Sequence, residues 1–219
     1  MTHDARHHIS DELIVSYAAG ALSEAQCLAI ASHATYCPQC RRRIEDAEAL
    51  GGALLDALPM TPVPPPDVDA LLARLEDGDA PAPERRDLPV LPAAFAGLVA
   101  PRPLQAFLAN RSWSRLAPGI EQVVLGTQGP ASARLMRFAP GIQLPAHGHR
   151  GLELTLVLTG SYHDVTGTYR PGDLAELDQR AHHQPVIGAG QDCIALVVTE
   201  APAIYDRLIY RLLQPFIGL

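Results

Sequence analysis

The chain contains no lysine. All 17 of its cations are arginines, which excludes Schiff-base chemistry, anchoring of pyridoxal phosphate and a P-loop lysine together. Positive charge is scarce as well: 17 cations against 24 carboxylates leave a net charge of −7. A molecule of that sign repels phosphate backbones, which argues against autonomous nucleic-acid binding. Long apolar runs are missing too. The longest uncharged apolar stretch in the middle of the chain, Leu88 to Pro101, has 14 residues and is broken by prolines, short of the ~20 needed to span a bilayer. The opening Met1-Thr-His-Asp-Ala-Arg-His-His lacks the apolar core of a signal peptide, so the expected compartment is the cytoplasm. There the few cysteines, Cys27, Cys37, Cys40 and Cys193, are read as metal ligands or redox thiols before disulfides.

What is present divides the chain. Its 219 residues allow one large domain or two small ones at roughly 100 to 200 residues each. Of 20 prolines, 11 fall between Pro59 and Pro103, a density that breaks helices and strands and marks connecting segments. Before it the sequence is rich in Ala and Leu at helical spacing; after it come short Val-, Leu-, Thr- and Gly-rich runs with frequent turn signals. The expected fold is therefore two domains, an all-α helical part over 1–80 and an all-β part over 104–219, joined by a Pro-rich linker over 81–103. Ser10-Asp11-Glu12 opens a first helix of about three turns that stops at Gly20. The capping box Ser23-x-x-Gln26 opens a second that runs to about Tyr36. Pro38 suits the first turn of a third reaching about Leu58. Asp67 caps a short segment whose Val68, Leu71, Leu72 and Leu75 share one helical face. That stripe either packs on its own domain or docks on a partner protein.

Two constellations carry chemistry. His33-x3-Cys37-x2-Cys40 places a His and a Cys one helical turn apart and returns a second Cys across the break at Pro38, so three zinc-type ligands converge locally. The fourth comes from His3, His7 or His8. Cys27 is read as a small buried hydrophobe. Further on, His147-x-His149 puts two imidazoles on one face of a strand, and Glu153 joins them if the strand stays regular. A carboxylate among Leu152, Leu154, Leu156 and Leu158 needs a cation or a hydrogen-bond partner. A further histidine is available at His182 or His183, which face opposite ways; His163 is read as a surface residue. Three His and one Glu suit zinc, iron, manganese or nickel. The 152–158 strand is apolar on both faces, so its outer face requires cover from the C-terminal tail 208–219 or from a second subunit in a homodimer.

These motifs resemble known families. A distal His8 followed by His33-x3-Cys37-x2-Cys40 is similar to the zinc-binding anti-sigma domain, a small helical bundle in which a further helix clasps a sigma factor of the extracytoplasmic-function type. The resemblance makes His8, His33, Cys37 and Cys40 the zinc ligands and puts the Val68, Leu71, Leu72, Leu75 stripe where the clasping helix belongs. Gly141-x5-His147-x-His149-x3-Glu153-x6-Gly160 resembles the first cupin motif of a jelly-roll barrel. Together, with His-His-Ile-Ser-Asp near the start and Leu212-Leu-Gln-Pro-Phe near the end, the chain resembles the ChrR family of negative regulators. That branch carries His-x-Pro in the second cupin element, which favours His183. The resemblance implies a non-enzymatic anti-sigma factor that sequesters a sigma factor and releases it under singlet oxygen or organic hydroperoxide. No catalytic residue is assigned. One departure stands out: a Cys-x-Cys strand of the family reads Cys193-Ile-Ala195 here, so the second thiol is absent. A cupin metalloenzyme of dioxygenase type with a regulatory zinc domain is the alternative. Arg41-Arg42-Arg43 beside Cys40 is followed at once by acids and does not make a DNA-binding finger.

Overall fold

The computed structural model describes residues 5–61, 64–76 and 90–205. Among these, four helices come first, α1 (Asp11–Ala18), α2 (Glu24–Tyr36), α3 (Pro38–Asp56) and α4 (Val68–Glu76), and each begins where its sequence signal lies. Ser10 Oγ accepts the Leu13 amide. Ser23 and Gln26 form the reciprocal capping box, Pro38 occupies the first turn of α3, and Asp67 Oδ1 accepts the Ala70 amide at 3.0 Å. The first helix is shorter than expected, at 8 residues, and ends just before the left-handed Gly20, which sits at φ +67.

The expected connector is not a simple spacer. The boundary at residue 80 lies outside the described residues, but from Val90 the chain forms a short 3-10 turn (Ala93–Phe95) and α5 (Arg102–Leu108), with Phe95, Leu98, Ala100 and Leu104 buried. Tyr36 donates its hydroxyl to the Val99 carbonyl, and the Trp113 indole donates to that of Ala94.

Among the described residues, twelve strands follow. β1 (Ser114–Ala117), β2 (Ile120–Leu125), β3 (Ser132–Phe138), β11 (Cys193–Thr199), β5 (Glu153–Thr159) and β8 (Leu174–Leu177) form one antiparallel sheet in the order β1-β2-β3-β11-β5-β8. Two small sheets face it, β10-β6-β7 and β12-β4-β9, built from β4 (His147–Gly148), β6 (Tyr162–Asp164), β7 (Gly167–Tyr169), β9 (His182–His183), β10 (Val186–Ile187) and β12 (Ile204–Tyr205). The expected barrel is thus a sandwich whose hydrogen bonding does not close into one continuous cylinder. Gly160 at the β5–β6 turn has φ +68, and a Cβ there would lie 2.4 Å from the Asp192 carbonyl oxygen, so only glycine fits.

The cover of the large sheet corrects the sequence reading. Its outer face is closed by α2, which packs on β3, β5 and β11. The 208–219 tail lies outside the described residues. On β5, Leu154, Leu156 and Leu158 join a core shared with Leu28, Ala29 and Ile30 of α2, while Val157 belongs to the interior cluster of the sandwich. Ala25 and Ala29, fully buried and one turn apart, let the helix backbone approach the sheet closely. Polar contacts rim the junction: Ser10 Oγ donates to Glu176 at 2.8 Å, the Arg6 and His7 amides donate to Asp173 Oδ1, and Gln26 donates to Glu200 at 2.8 Å.

Because helices and sheet share one core, they should unfold together. Leu154→Ala should cost about 2–5 kcal/mol and lower Tm equally whether read from helical ellipticity or from Trp113 emission. Two separated transitions in the unaltered protein would contradict the shared core.

Candidate metal centres

The first cluster forms where α2 breaks into α3. His8, His33, Cys37 and Cys40 bring one donor atom each to within 4.8 Å of one another. His8 Nδ1 lies 3.3 Å from Cys37 Sγ and 3.7 Å from Cys40 Sγ. His33 is fully buried. Its Nδ1 donates to the Gly172 carbonyl at 2.9 Å, which fixes the tautomer and leaves Nε2 as a lone pair, and that buried Nε2 has no hydrogen-bond partner. An orphaned acceptor beside two thiols and a second imidazole is what a cation of the zinc type satisfies. Cys37 is also the N-cap of α3, its sulfur accepting the Cys40 amide. Arg43 Nη1 reaches the Ile9 carbonyl at 2.8 Å and stands 3.9 Å from Cys40 Sγ.

Of the candidates for the fourth donor, His8 stands with the cluster. His7 turns away, stacking on Tyr169 with ring centroids 4.3 Å apart and contacting the Thr168 carbonyl through Nε2. His3 lies outside the described residues. Cys27, expected as a buried hydrophobe, is only half-buried, its thiol directed at the Leu22 carbonyl.

The second cluster joins His147, His149, Glu153 and His183, again with donor atoms within 4.8 Å of one another. β4 pairs with β9 so that His147 faces His183 directly. His183 is buried and His182 exposed, and His163 is exposed on β6. His147 Nδ1 donates to the Pro145 carbonyl at 2.8 Å. His183 Nδ1 lies 2.7 Å from Asp164 Oδ2, a carboxylate held below its usual range by hydrogen bonds from Thr166 and His183 that outweigh the effect of burial. Both rings therefore turn Nε2 inward as an acceptor. His183 Nε2 sits 3.1 Å from His147 Nε2 and 3.2 Å from His149 Nε2. Lone pairs facing one another at that distance repel unless a cation lies between them. A metal about 2.1 Å from two such nitrogens would see them about 100° apart, between octahedral and tetrahedral angles. Glu153 Oε2 is 3.5 Å from His149 Nδ1, and its other oxygen accepts from Thr155.

The outer partners Asp164, Pro145 and Gly172 had no local signal in the sequence.

Inside the sandwich, next to this cluster, lies a cavity of about 530 Å³ lined by Ile120, Met136, Phe138, His147, Glu153 and Cys193 among others. Cys193 is fully buried, and burial pushes its thiol up to about 12, far from an activated thiolate. Ala195 lines the same space.

An all-β sandwich with an inward His, His, Glu, His set, capped by a helical bundle with its own His and Cys set, defines a two-part cupin protein with two clusters that could each hold a metal ion. The chain belongs to the ChrR family of anti-sigma factors. Residues 104–203 match the family of the ChrR cupin-like domain. The chain is 41% identical over 212 residues to the anti-sigma-E factor ChrR of Cereibacter sphaeroides, covering 96% of this chain and 97% of that protein. It also superposes on the crystal structure of Rhodobacter sphaeroides SigE in complex with the anti-sigma ChrR, with a TM-score of 0.71, 38% identity, and coverage of 89% of this chain and 99% of the matched one. Among the described residues, no helix is long and apolar enough to cross a membrane.

Two outcomes are expected here. Asp164→Asn should weaken metal binding at the cupin cluster by about 10–100-fold in competition with a chromophoric chelator, while metal at His8, His33, Cys37 and Cys40 is retained. Stability after chelation should also depend on pH. Burial lowers His33 and His149 from 6.5 to about 4, so the unfolded chain binds more protons across that window and stability falls as pH drops through it. Glu153, raised by burial from 4.5 to about 7, acts in the opposite sense but is one group against two. The urea midpoint of the metal-free protein should therefore be lower near pH 5 than near pH 7.

Proposed function

We propose that the chain is an anti-sigma factor that holds an extracytoplasmic-function sigma factor in a one-to-one cytoplasmic complex. In this reading 1–80 is the zinc-binding clasping unit, 104–219 the sensing unit, and 81–103 joins them. The observation that carries it is an apolar surface on α3 and α4. Leu50, Leu54, Leu55 and Leu58 are exposed along and just beyond the C-terminal half of α3, and Val68, Leu71 and Leu72 are exposed on α4. A surface this apolar marks a docking site, and the ChrR relative was solved in complex with SigE. Leu75 lies on the same helix. The α3 leucines are a second exposed apolar set, preceding in chain order the stripe read from the sequence.

The finer reading assigns zinc to His8, His33, Cys37 and Cys40, and zinc, iron, manganese or nickel to His147, His149, Glu153 and His183. The cupin cluster is the site at which singlet oxygen or an organic hydroperoxide acts. A continuous set of contacts supports communication from there to the helices. Asp164 binds His183 through one oxygen and Thr166 through the other, Thr166 meets the Tyr169 hydroxyl, Tyr169 stacks on His7, and the His7 amide and the His33 ring bond to adjacent residues, Asp173 and Gly172. Cys193 alone, buried and without a second thiol, is poorly suited to the role.

Co-expression with the sigma factor encoded beside this chain tests the proposal. Co-elution at equal stoichiometry with two metals per chain is expected, and Leu72→Arg should weaken the complex at least about tenfold. His147→Ala should bind the sigma factor normally and fail to release it on oxidant treatment; normal release would refute sensing at the cupin cluster. A metal-loaded protein that retains no sigma factor would favour the cupin metalloenzyme, a reading that the cavity beside the cluster supports.

A further inference from the structure

The cavity inside the sandwich is graded along its length, and strand register shows how. β11 pairs with β3 and β5 so that Ser132, Thr199 and Glu153 form one row, and Arg134, Val197 and Thr155 the next. Met136, Ala195 and Val157 follow, then Phe138 and Cys193. The first two rows carry the polar side chains Ser132, Thr199, Glu153, Arg134 and Thr155, with Val197 between the last two, and line the cavity with His147 and His183, whereas the last two rows are apolar and lead toward Ile120 and Ile142.

The polar end holds a cation, Arg134, whose electrostatic neighbour is the Tyr205 phenol. Arg134 projects into the cavity, yet among the described residues no carboxylate lies within 4.0 Å of its guanidinium, although Arg43, Arg137 and Arg180 all have one. Its Nε is buried and has no hydrogen-bond partner, and burial lowers the affinity of the group for its proton. A cation half-withdrawn from water beside apolar walls is costly until an anion meets it. A guanidinium fork matches a carboxylate in shape and charge.

We infer that this cavity is a binding site for a small amphipathic carboxylate, its carboxylate on Arg134 and its aliphatic tail along Met136, Ala195 and Phe138. The volume of about 530 Å³ falls in the usual range for sites that enclose small organic ligands. A neutral apolar molecule would leave Arg134 unpaired, and a short anion such as acetate would leave the apolar rows unfilled. The inference does not depend on sigma-factor binding, because the site lies within the sandwich and is tested on the chain alone.

Calorimetric titration of the full metal-loaded chain with sodium octanoate and with 1-octanol provides the test. Octanoate should bind saturably at one per chain, and 1-octanol, with the same tail and no charge, at least about tenfold more weakly. Arg134→Met should lose about tenfold in octanoate affinity and leave 1-octanol unchanged. Absence of saturable octanoate binding, or equal binding of the two ligands by the unaltered chain, would overturn the inference. So would undiminished octanoate binding by Arg134→Met, which would put the carboxylate on the metal cluster instead. If Arg134→Met does not fold, the octanoate and octanol comparison on the unaltered chain still decides.

Discussion

The packing of α2 on the outer face of the large sheet is the contact on which both candidate metal centres depend. α2 is the helix that carries His33, and it is buried on most of its circumference, from Ala25 to Tyr36. Its small residues set how closely the helix approaches β5 and β11, and that approach brings His33 Nδ1 to the Gly172 carbonyl. Without the cupin backbone as acceptor, the ring would lose the hydrogen bond that turns Nε2 toward Cys37 and Cys40. The helical cluster is therefore local in sequence but completed by a residue 139 positions away. The dependence runs the other way too, since Leu154, Leu156 and Leu158 of the strand that starts at Glu153 are kept from water by the helices.

The two clusters solve the same electrostatic problem with different chemistry. Each gathers buried groups whose charge or lone pairs would repel without a cation. The helical one uses thiols at a helix N-terminus, suited to a soft ion held in a closed set. The cupin one uses three imidazoles and a carboxylate facing a cavity, with the outer nitrogens of His147 and His183 tied to a carbonyl and to Asp164. That arrangement orients the inner nitrogens while leaving space beside them. The first suits a structural role and the second a role in which something arrives.

Much of this was legible in the sequence because it is local. Ser10, Ser23 with Gln26, Pro38 and Asp67 open their helices through bonds that span three or four residues, so a reading of neighbours finds them. The spacings from His33 to Cys40 and from His147 to Glu153 are likewise properties of one helix break and one strand. What was not legible is what folding adds over distance. That Asp164 would sit behind His183, that Gly172 would orient His33, and that α2 would cover β5 all follow from how the halves meet. The apolar residues at the end of α3 were visible as Leu50, Leu54, Leu55 and Leu58, but only their exposure in the structure distinguishes a docking face from a core face.

That exposure divides labour among the helices. α2 places its apolar residues against the sheet and has little surface left to offer a partner, whereas α3 buries only Cys40 and Ile44 and leaves its distal leucines in solvent. Cys40 and Ile44 lie in the first two turns of α3, next to the metal-binding break, so the helix is anchored at one end and projects at the other. The fixed end of α3 carries Cys37 and Cys40 of the first candidate cluster, while α2, which carries His33, is tied to the cupin. Any change that loosens α2 from Gly172 therefore reaches the root of the exposed α3 leucines through the covalent chain and the shared His and Cys cluster, without a separate route.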